Sequence, residues 1–279
     1  MSGNYFHITS SELISAPFVV PASGENPRLR FWHWFYANDW GDQGYVQLIK
    51  DGVATRISPV WDISTTMSVT SDIWTSPSLD LSAWGGDTVQ LSFYFYTDSD
   101  GSTNPGWYID DIEIVTGPYE DLAATPETFE DGLLDWSSSR GMWEVGVPTS
   151  GPGSAHSGSQ CAATVLSGNY FHITSSELIS APFVVPASGE NPRLRFWHWF
   201  YINDYGDGGY VQVVAGDSTT KISPTYNLTS GEWIDEPPID LSAWGGDTVQ
   251  LSFYFYTDSD GSTNPGWYID DIRLVSDQE

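Results

Sequence analysis

Ser2–Tyr36 and Ser167–Tyr201 carry one and the same sequence, SGNYFHITSSELISAPFVVPASGENPRLRFWHWFY, and Asp80–Ile112 recurs letter for letter as Asp240–Ile272. Two copies of segments this long must reach the same local structure, so any fold for this chain has to be one unit built twice. The offset is 165 residues in the first block and 160 in the second, because SPVWDISTTMSVTSDIWTSPSL in the first copy answers to the shorter SPTYNLTSGEWIDEPPI in the second. That difference predicts a shortened surface loop. Copies this similar favour an array protein over an enzyme.

The two copies are not equally complete. Pro126–Leu166, PETFEDGLLDWSSSRGMWEVGVPTSGPGSAHSGSQCAATVL, leads into the second unit and has no counterpart ahead of Ser2. Residues 1–117 are therefore expected to form an incomplete repeat, 118–125 a linker, and 126–279 a complete repeat. The linker reading rests on the prolines and small residues of TGPYEDLAATP. A sandwich without its first strands leaves core and sheet edges open, which predicts stickiness and burial against neighbouring copies or repeats of the same protein.

The pattern within each unit is that of strands. In TVQLSFYFYT, Val89, Leu91, Phe93 and Phe95 alternate with Gln90, Ser92, Tyr94 and Tyr96, the period of a strand with one buried face. In PRLRFWHWFY, Leu29, Phe31, His33 and Phe35 share one face, and Arg28, Arg30, Trp32, Trp34 and Tyr36 the other. No segment holds a helical period. Short strands between Gly, Pro, Asn and Asp turns predict an all-β chain of two tandem antiparallel jelly-roll β-sandwich units, the first lacking its N-terminal strands.

The charge balance narrows the partners. Against 37 Asp and Glu stand 9 Lys and Arg, a formal net charge of −28, and lysine occurs only at Lys50 and Lys221. Such a surface repels nucleic acid and anionic lipid, and suits high salt, bound divalent cations or a life outside the cell. Aromatic residues at 15% exclude an acidic disordered chain. The lone Cys161 cannot close an internal disulfide. No apolar run is long enough to span a membrane, and the polar residues after Met1 do not read as a signal peptide, so any leader is expected outside this sequence.

Carboxylates carry the chemistry. DSDGSTN places Asp98 and Asp100 before Gly101, and again Asp258 and Asp260 before Gly261, so hard oxygen ligands could curl around a calcium ion. The alternative is a turn whose Asp and Asn side chains cap backbone amides. In GWYIDDI, strand alternation sends Trp107, Ile109 and Asp111 one way and Tyr108, Asp110 and Ile112 the other. One aspartate then shares a face with core residues. With so few cations in the chain, a metal ion is the economical partner.

ETFEDGLLDW, SELISAPF, LRFWHWFY, IDLSAWGGDTVQLSF and GWYIDDI together resemble extracellular jelly-roll modules related to the MAM domain, including the choice-of-anchor J modules and the module that follows the catalytic domain of immune inhibitor A peptidases. The resemblance covers about residues 126–275 and the later two-thirds of the first unit. It implies a structural calcium between an acidic pair in the first strand, Glu130 and Asp131, and the pair Asp270 and Asp271 in the last. The first unit has Asp110 and Asp111 but no first strand, so its site would be incomplete. The MAM cysteines are absent.

Other features have plainer readings beside the functional ones. Trp32, Trp34 and Tyr36, with Trp197, Trp199 and Tyr201, could pair with Tyr94, Tyr96, Tyr254 and Tyr256 of a neighbouring strand and stack on sugar rings, or could be covered by a loop or a neighbouring unit. His33 and His198 read as hydrogen-bonded core histidines, Cys161 as a small buried strand residue, and Asn227–Thr229 as a glycosylation triplet of a kind frequent by chance. HExxH, GxSxG, the P-loop and GxGxxG are missing from the sequence, and catalysis is not expected. The expected function is a calcium-stabilised structural or adhesive module of a secreted, prokaryotic surface protein or extracellular filament, with a carbohydrate-binding module as the alternative.

Overall fold

The computed structural model describes residues 3–37, 41–62, 74–101, 103–119, 121–139, 142–203, 206–216 and 218–276. Most of the longer loop expected in the first copy, residues 63–73, lies outside the described residues. The chain divides into two compact units, Met1–Pro118 and Tyr119–Glu279.

The first unit is a sandwich of two antiparallel sheets. One runs in the order Thr9–Ile14, Thr88–Thr97, Gln43–Lys50, Val53–Arg56; the other places Arg28–Tyr36 between Ser78–Asp80 and Gly106–Val115. The alternation works as expected: Val89, Leu91 and Phe93 meet Leu29 and Phe31 in one core, with Val46 and Leu48 from the adjoining strand. Each such side chain contributes about 1.5–3 kcal/mol when fully withdrawn from water, so these paired faces decide the fold.

The second unit repeats this plan and adds strands. Ser137–Ser139 joins the edge strand Ser175–Ile179 of the first sheet, while Cys161–Ala163, itself paired with Glu144–Gly146, joins Gly266–Val275 in the second. Phe129, Trp136 and Trp143 enter the core from the same segment, Trp136 against Phe253 and Trp143 against Trp267. The acidic stretch Glu130–Asp131, expected in a first strand, is a turn; only Glu127 bridges to the last strand, opposite Ile272, and Phe129 adopts φ +56°. Within the stretch expected as a linker, Leu122 is buried and its carbonyl accepts the Leu274 N–H.

The added segment changes what identical residues experience. Leu13 is 60% exposed and its counterpart Leu178 0%; Tyr108 is 45% and Tyr268 0%; Ile112 is 46% and Ile272 0%. The local sequence is the same in these pairs, and the strands beside each buried member come from the Pro126–Leu166 segment.

The buried histidines behave as core residues. Trp107 Nε1–H donates to His33 Nδ1 at 3.1 Å, and Trp267 Nε1–H to His198 Nδ1 at 3.2 Å. This leaves the proton on Nε2, which in His198 lies 3.2 Å from Glu236 Oε2. Burial pushes the His33 pKa down to about 3. The unfolded imidazole protonates near 6.5 and the folded one does not until about 3, so the first unit loses stability as pH falls through that window, by up to about 1.4 kcal/mol per pH unit. In the second unit His198 is lowered too, by burial, but burial of Asp270 raises its carboxyl to about 7. A raised carboxyl pKa acts oppositely: its favourable contribution is complete below about 4 and is lost as pH rises through 7. Urea titrations in excess EDTA between pH 4 and 7 should therefore show a steeper acid loss in the first unit than in the second, and His33→Phe should flatten it.

Candidate functional site

Two constellations stand out, one on the outer face of the sheet that contains Thr88–Thr97, or Thr248–Tyr256 in the second unit, and one at the last strand. The first is built by cross-strand register. Tyr45 lies opposite Tyr94, and Tyr210 opposite Tyr254. Because strand side chains alternate, the Val and Phe neighbours that fill the core force these tyrosines outward. Tyr45 and Tyr94 stack with centroids 4.9 Å apart; Tyr210 and Tyr254 are 5.1 Å apart, with Tyr256 beyond at 6.1 Å from Tyr254. A cation caps each set: the Arg56 guanidinium 5.9 Å from the Tyr45 ring, and Lys221 Nζ 4.5 Å from that of Tyr210. Beside the rings, Gln47 donates to Ser92 Oγ and Ser92 to Glu12; Gln212 likewise donates to Ser252 Oγ at 3.1 Å, with Glu177 Oε1 at 3.5 Å. Desolvation and the neighbouring phenols raise the pKa of Tyr45 and Tyr210, so both remain neutral donors.

Tyr94, Tyr96, Tyr254 and Tyr256 do not flank the tryptophan row, as a joint sugar-binding face would need. They lie instead in the opposite sheet, because Arg28–Tyr36 pairs with Gly106–Val115 and Ser78–Asp80 rather than with Thr88–Thr97. The row is covered where the repeat is complete. His156 stacks on Trp197 at 3.8 Å, Trp199 is buried against Tyr268, and Tyr201 alone of the three remains exposed. In the first unit Trp32 is exposed and Trp34 packs edge-on against Tyr36 and Tyr108.

The second constellation gathers around Asp270. A register shift lies between Arg195 and Trp197 opposite this strand, and Asp271 takes φ +50°. A bulge of this kind breaks strict alternation, so Asp270 and Asp271 converge rather than diverge. Asp270 Oδ2 accepts the N–H groups of His156 and Ser157, and its Oδ1 that of Asp271. Asp271 takes His156 Nδ1 at 2.5 Å and the Ser157 hydroxyl at 2.8 Å. Glu130 anchors the next turn, accepting Ser159 N–H, Gln160 N–H and the Ser159 hydroxyl; these bonds hold its carboxyl below the usual range. Gly158, at φ +56°, sits so close that a Cβ there would lie 2.4 Å from Glu130 Oε1. Asp131 is exposed. In the first unit Asp110 and Asp111 are exposed, and Asp111 has the same left-handed φ, +48°.

Among the described residues, His156, Asp270 and Asp271 are the group whose potential metal-ligating atoms lie within 4.8 Å of one another. Asp270, Asp271 and the Ser157 hydroxyl offer hard oxygens; the imidazole suits a borderline divalent ion better than calcium. The DSDG loops use their carboxylates as amide caps. Asp98 N–H donates to Asp42 Oδ1 and Asp100 N–H to Asp98 Oδ1; in the second copy Asp258 N–H donates to Asp207, and Asp260 N–H to Asp258. Asp42 and Asp207, both buried, escaped the sequence reading; Asp207 also accepts the Tyr170 hydroxyl at 2.6 Å, and burial raises its pKa. Tyr45 and Tyr210 escaped it as well. Their signal was GYVQ, common to Gly44–Gln47 and Gly209–Gln212 inside otherwise diverged strands. Cys161 is buried in Cys161–Ala163, and burial pushes its thiol pKa well up, as suits an inert core residue.

No family model matches the chain, and the likeness to MAM-related and choice-of-anchor J modules stays one of motifs. Bacillopeptidase F of Bacillus subtilis is 34% identical over 180 residues, which cover 60% of this chain and 12% of that protein. The pre-pro-metalloprotease PrtV of Vibrio cholerae is 37% identical over 110 residues, 36% of this chain and again 12% of the relative. The chain thus spans about an eighth of the length of these curated relatives. Among solved structures, the tandem CBM22 domains of Paenibacillus barcinonensis Xyn10C align over 98% of this chain and 93% of theirs, at 12% identity and a TM-score of 0.34. A cleaved adhesin domain of Lys-gingipain from Porphyromonas gingivalis aligns over 54% of this chain and 98% of its own, at 17% identity and a TM-score of 0.34. Likenesses at this level name no ligand for the present chain. Among the described residues no helix is long and apolar enough to cross a membrane.

Proposed function

We propose that this chain is a non-catalytic tandem module of a larger extracellular protein and that each unit presents its tyrosine face to glycan chains. One observation carries the reading: Tyr45 and Gln47 recur as Tyr210 and Gln212 although the strand that carries them, unlike the identical strands on which Tyr94 and Tyr254 lie, has diverged. Leu48, Ile49 and Lys50 are replaced by Val213, Val214 and Ala215, while Tyr45, Gln47 and the cation at Arg56 recur as Tyr210, Gln212 and Lys221. Phenol faces stack on the apolar faces of sugar rings, the phenol hydroxyls and the carboxylates of Glu12 and Glu177 beside them can meet sugar hydroxyls, and the buried Gln–Ser pairs hold the face in place. A net charge of −28 favours neutral polysaccharides over polyanionic ones. The match to a small part of two peptidases supports an appended module, and the matched proteins' activity is not ascribed to it.

Affinity electrophoresis and calorimetry against neutral and acidic polysaccharides test this. Binding of a neutral glycan is expected, with Tyr210→Ala and Tyr45→Ala each weakening it by about tenfold or more, about 1.4 kcal/mol. Failure of every neutral glycan to bind, or binding indifferent to both substitutions, rejects the reading.

A structural divalent cation, calcium as the motif resemblance implies, is a second proposal, favoured by the convergence of Asp270 and Asp271. An ion bound only to the folded state at a hundredfold excess over its Kd adds about 2.7 kcal/mol. Excess EDTA should lower the melting temperature of the second unit by several degrees, and Asp271→Asn should abolish that response. An unchanged melting curve removes the cation from the account.

A further inference from the structure

The first unit carries an open face whose proper cover can be read from the second. Leu13 on Thr9–Ile14 and Tyr108 and Ile112 on Gly106–Val115, the edge strands of its two sheets, are exposed there. In the second unit the same three residues are covered by one segment: Ser138 pairs with Leu178, Ala163 with Tyr268, and Glu127 with Ile272. Beside the open face is a cavity of about 370 Å³, lined among others by Arg30, Trp32, Ser76, Asp111 and Ile112. Trp32 and Asp111 correspond to Trp197 and Asp271, and between those two the second unit holds the imidazole of His156, stacked on one and bonded to the other. Cavity and open edges thus match the places that the single segment Pro126–Leu166 fills in the second unit.

We propose that this side of the first unit is an acceptor for a strand-donating segment with the chemistry of Pro126–Leu166. The chemistry of the occupant follows from that match. It brings small strand residues, as Cys161–Ala163 do, to lie along Gly106–Val115. It brings a histidine into the cavity between Trp32 and Asp111, with the amides before and after that histidine's carbonyl aimed at Asp110, as those of His156 and Ser157 are at Asp270. It also brings buried tryptophans to close the core, as Trp136 and Trp143 do. Attraction of opposite charges is not what holds it: the segment has five acidic residues, Glu127, Glu130, Asp131, Asp135 and Glu144, against Arg140, and the chain is at −28. Backbone pairing and apolar burial drive this docking, so added salt strengthens it. The inference does not rest on the tyrosine reading.

A synthetic peptide of residues 126–166 titrated onto the full chain tests it, by calorimetry and amide exchange. The expected result is one peptide per chain, with slowed exchange over residues 9–14 and 106–115 and little change over 175–179 and 266–275. Tyr108→Arg in the chain is expected to weaken binding about 30-fold, and His156→Ala in the peptide about tenfold. Should the free peptide aggregate, residues 126–166 joined directly ahead of Ser2, as Leu166 joins Ser167, give the second arm. That chain should bind severalfold less of a hydrophobic dye, and its first unit should melt with its second. No protection of 9–14 and 106–115 by the soluble peptide, or unchanged dye binding in the joined chain, overturns the proposal.

Discussion

Leu178→Ala is expected to cost the second unit about 2–5 kcal/mol, whereas Leu13→Ala, in the same sequence context, is expected to cost the first unit less than about 1 kcal/mol. The native leucines have the same cross-strand partner, Phe253 in one case and Phe93 in the other. What differs is the cover. Leu178 is fully buried and its strand is flanked by Ser137–Ser139, so truncation leaves a cavity; Leu13 is 60% exposed, so water already reaches the methyl groups that are removed. Denaturant titration of the two variants, with unfolding of each unit followed separately by amide exchange, gives the comparison. Equal losses would mean that the first unit is covered in solution, as it would be once a donor segment occupies its open face.

Trp136→Ala is the largest single loss expected, about 3–5 kcal/mol in the second unit. Its ring lies between Phe129, 5.7 Å away, and Phe253, 6.0 Å away, and so ties the Pro126–Leu166 segment to the sheet core. Losing that anchor loosens everything the segment covers, including Leu178, Tyr268 and Ile272. The variant should therefore show a lower melting temperature and faster exchange over 175–179 and 266–275, with 9–14 and 106–115 unaffected. A melting temperature within a degree of the native chain would place the hold of the segment elsewhere, in the carboxylate bonds of Glu130 and Asp270.

The sequence by itself determined what depends on neighbours along the chain. The alternation of Val89, Leu91 and Phe93 fixes a strand and its inner face, because successive side chains leave a strand on opposite sides, and the structure buries all three. The exact repeat fixed that the unit is used twice. His33 and His198 could be placed in the core because they share a face with leucine and phenylalanine. Only the tertiary structure decided what depends on partners distant in sequence. The pairing of Tyr45 with Tyr94 needs the register between strands some fifty residues apart. The convergence of Asp270 and Asp271 needs the bulge opposite Arg195–Trp197, which a strict period of two does not contain. Leu13 and Leu178 set the limit most clearly: with identical neighbours in the chain, one is exposed and the other buried. Burial is a property of the surface that comes to lie against a residue, and for these two that surface is the Pro126–Leu166 segment, present over one unit and not over the other.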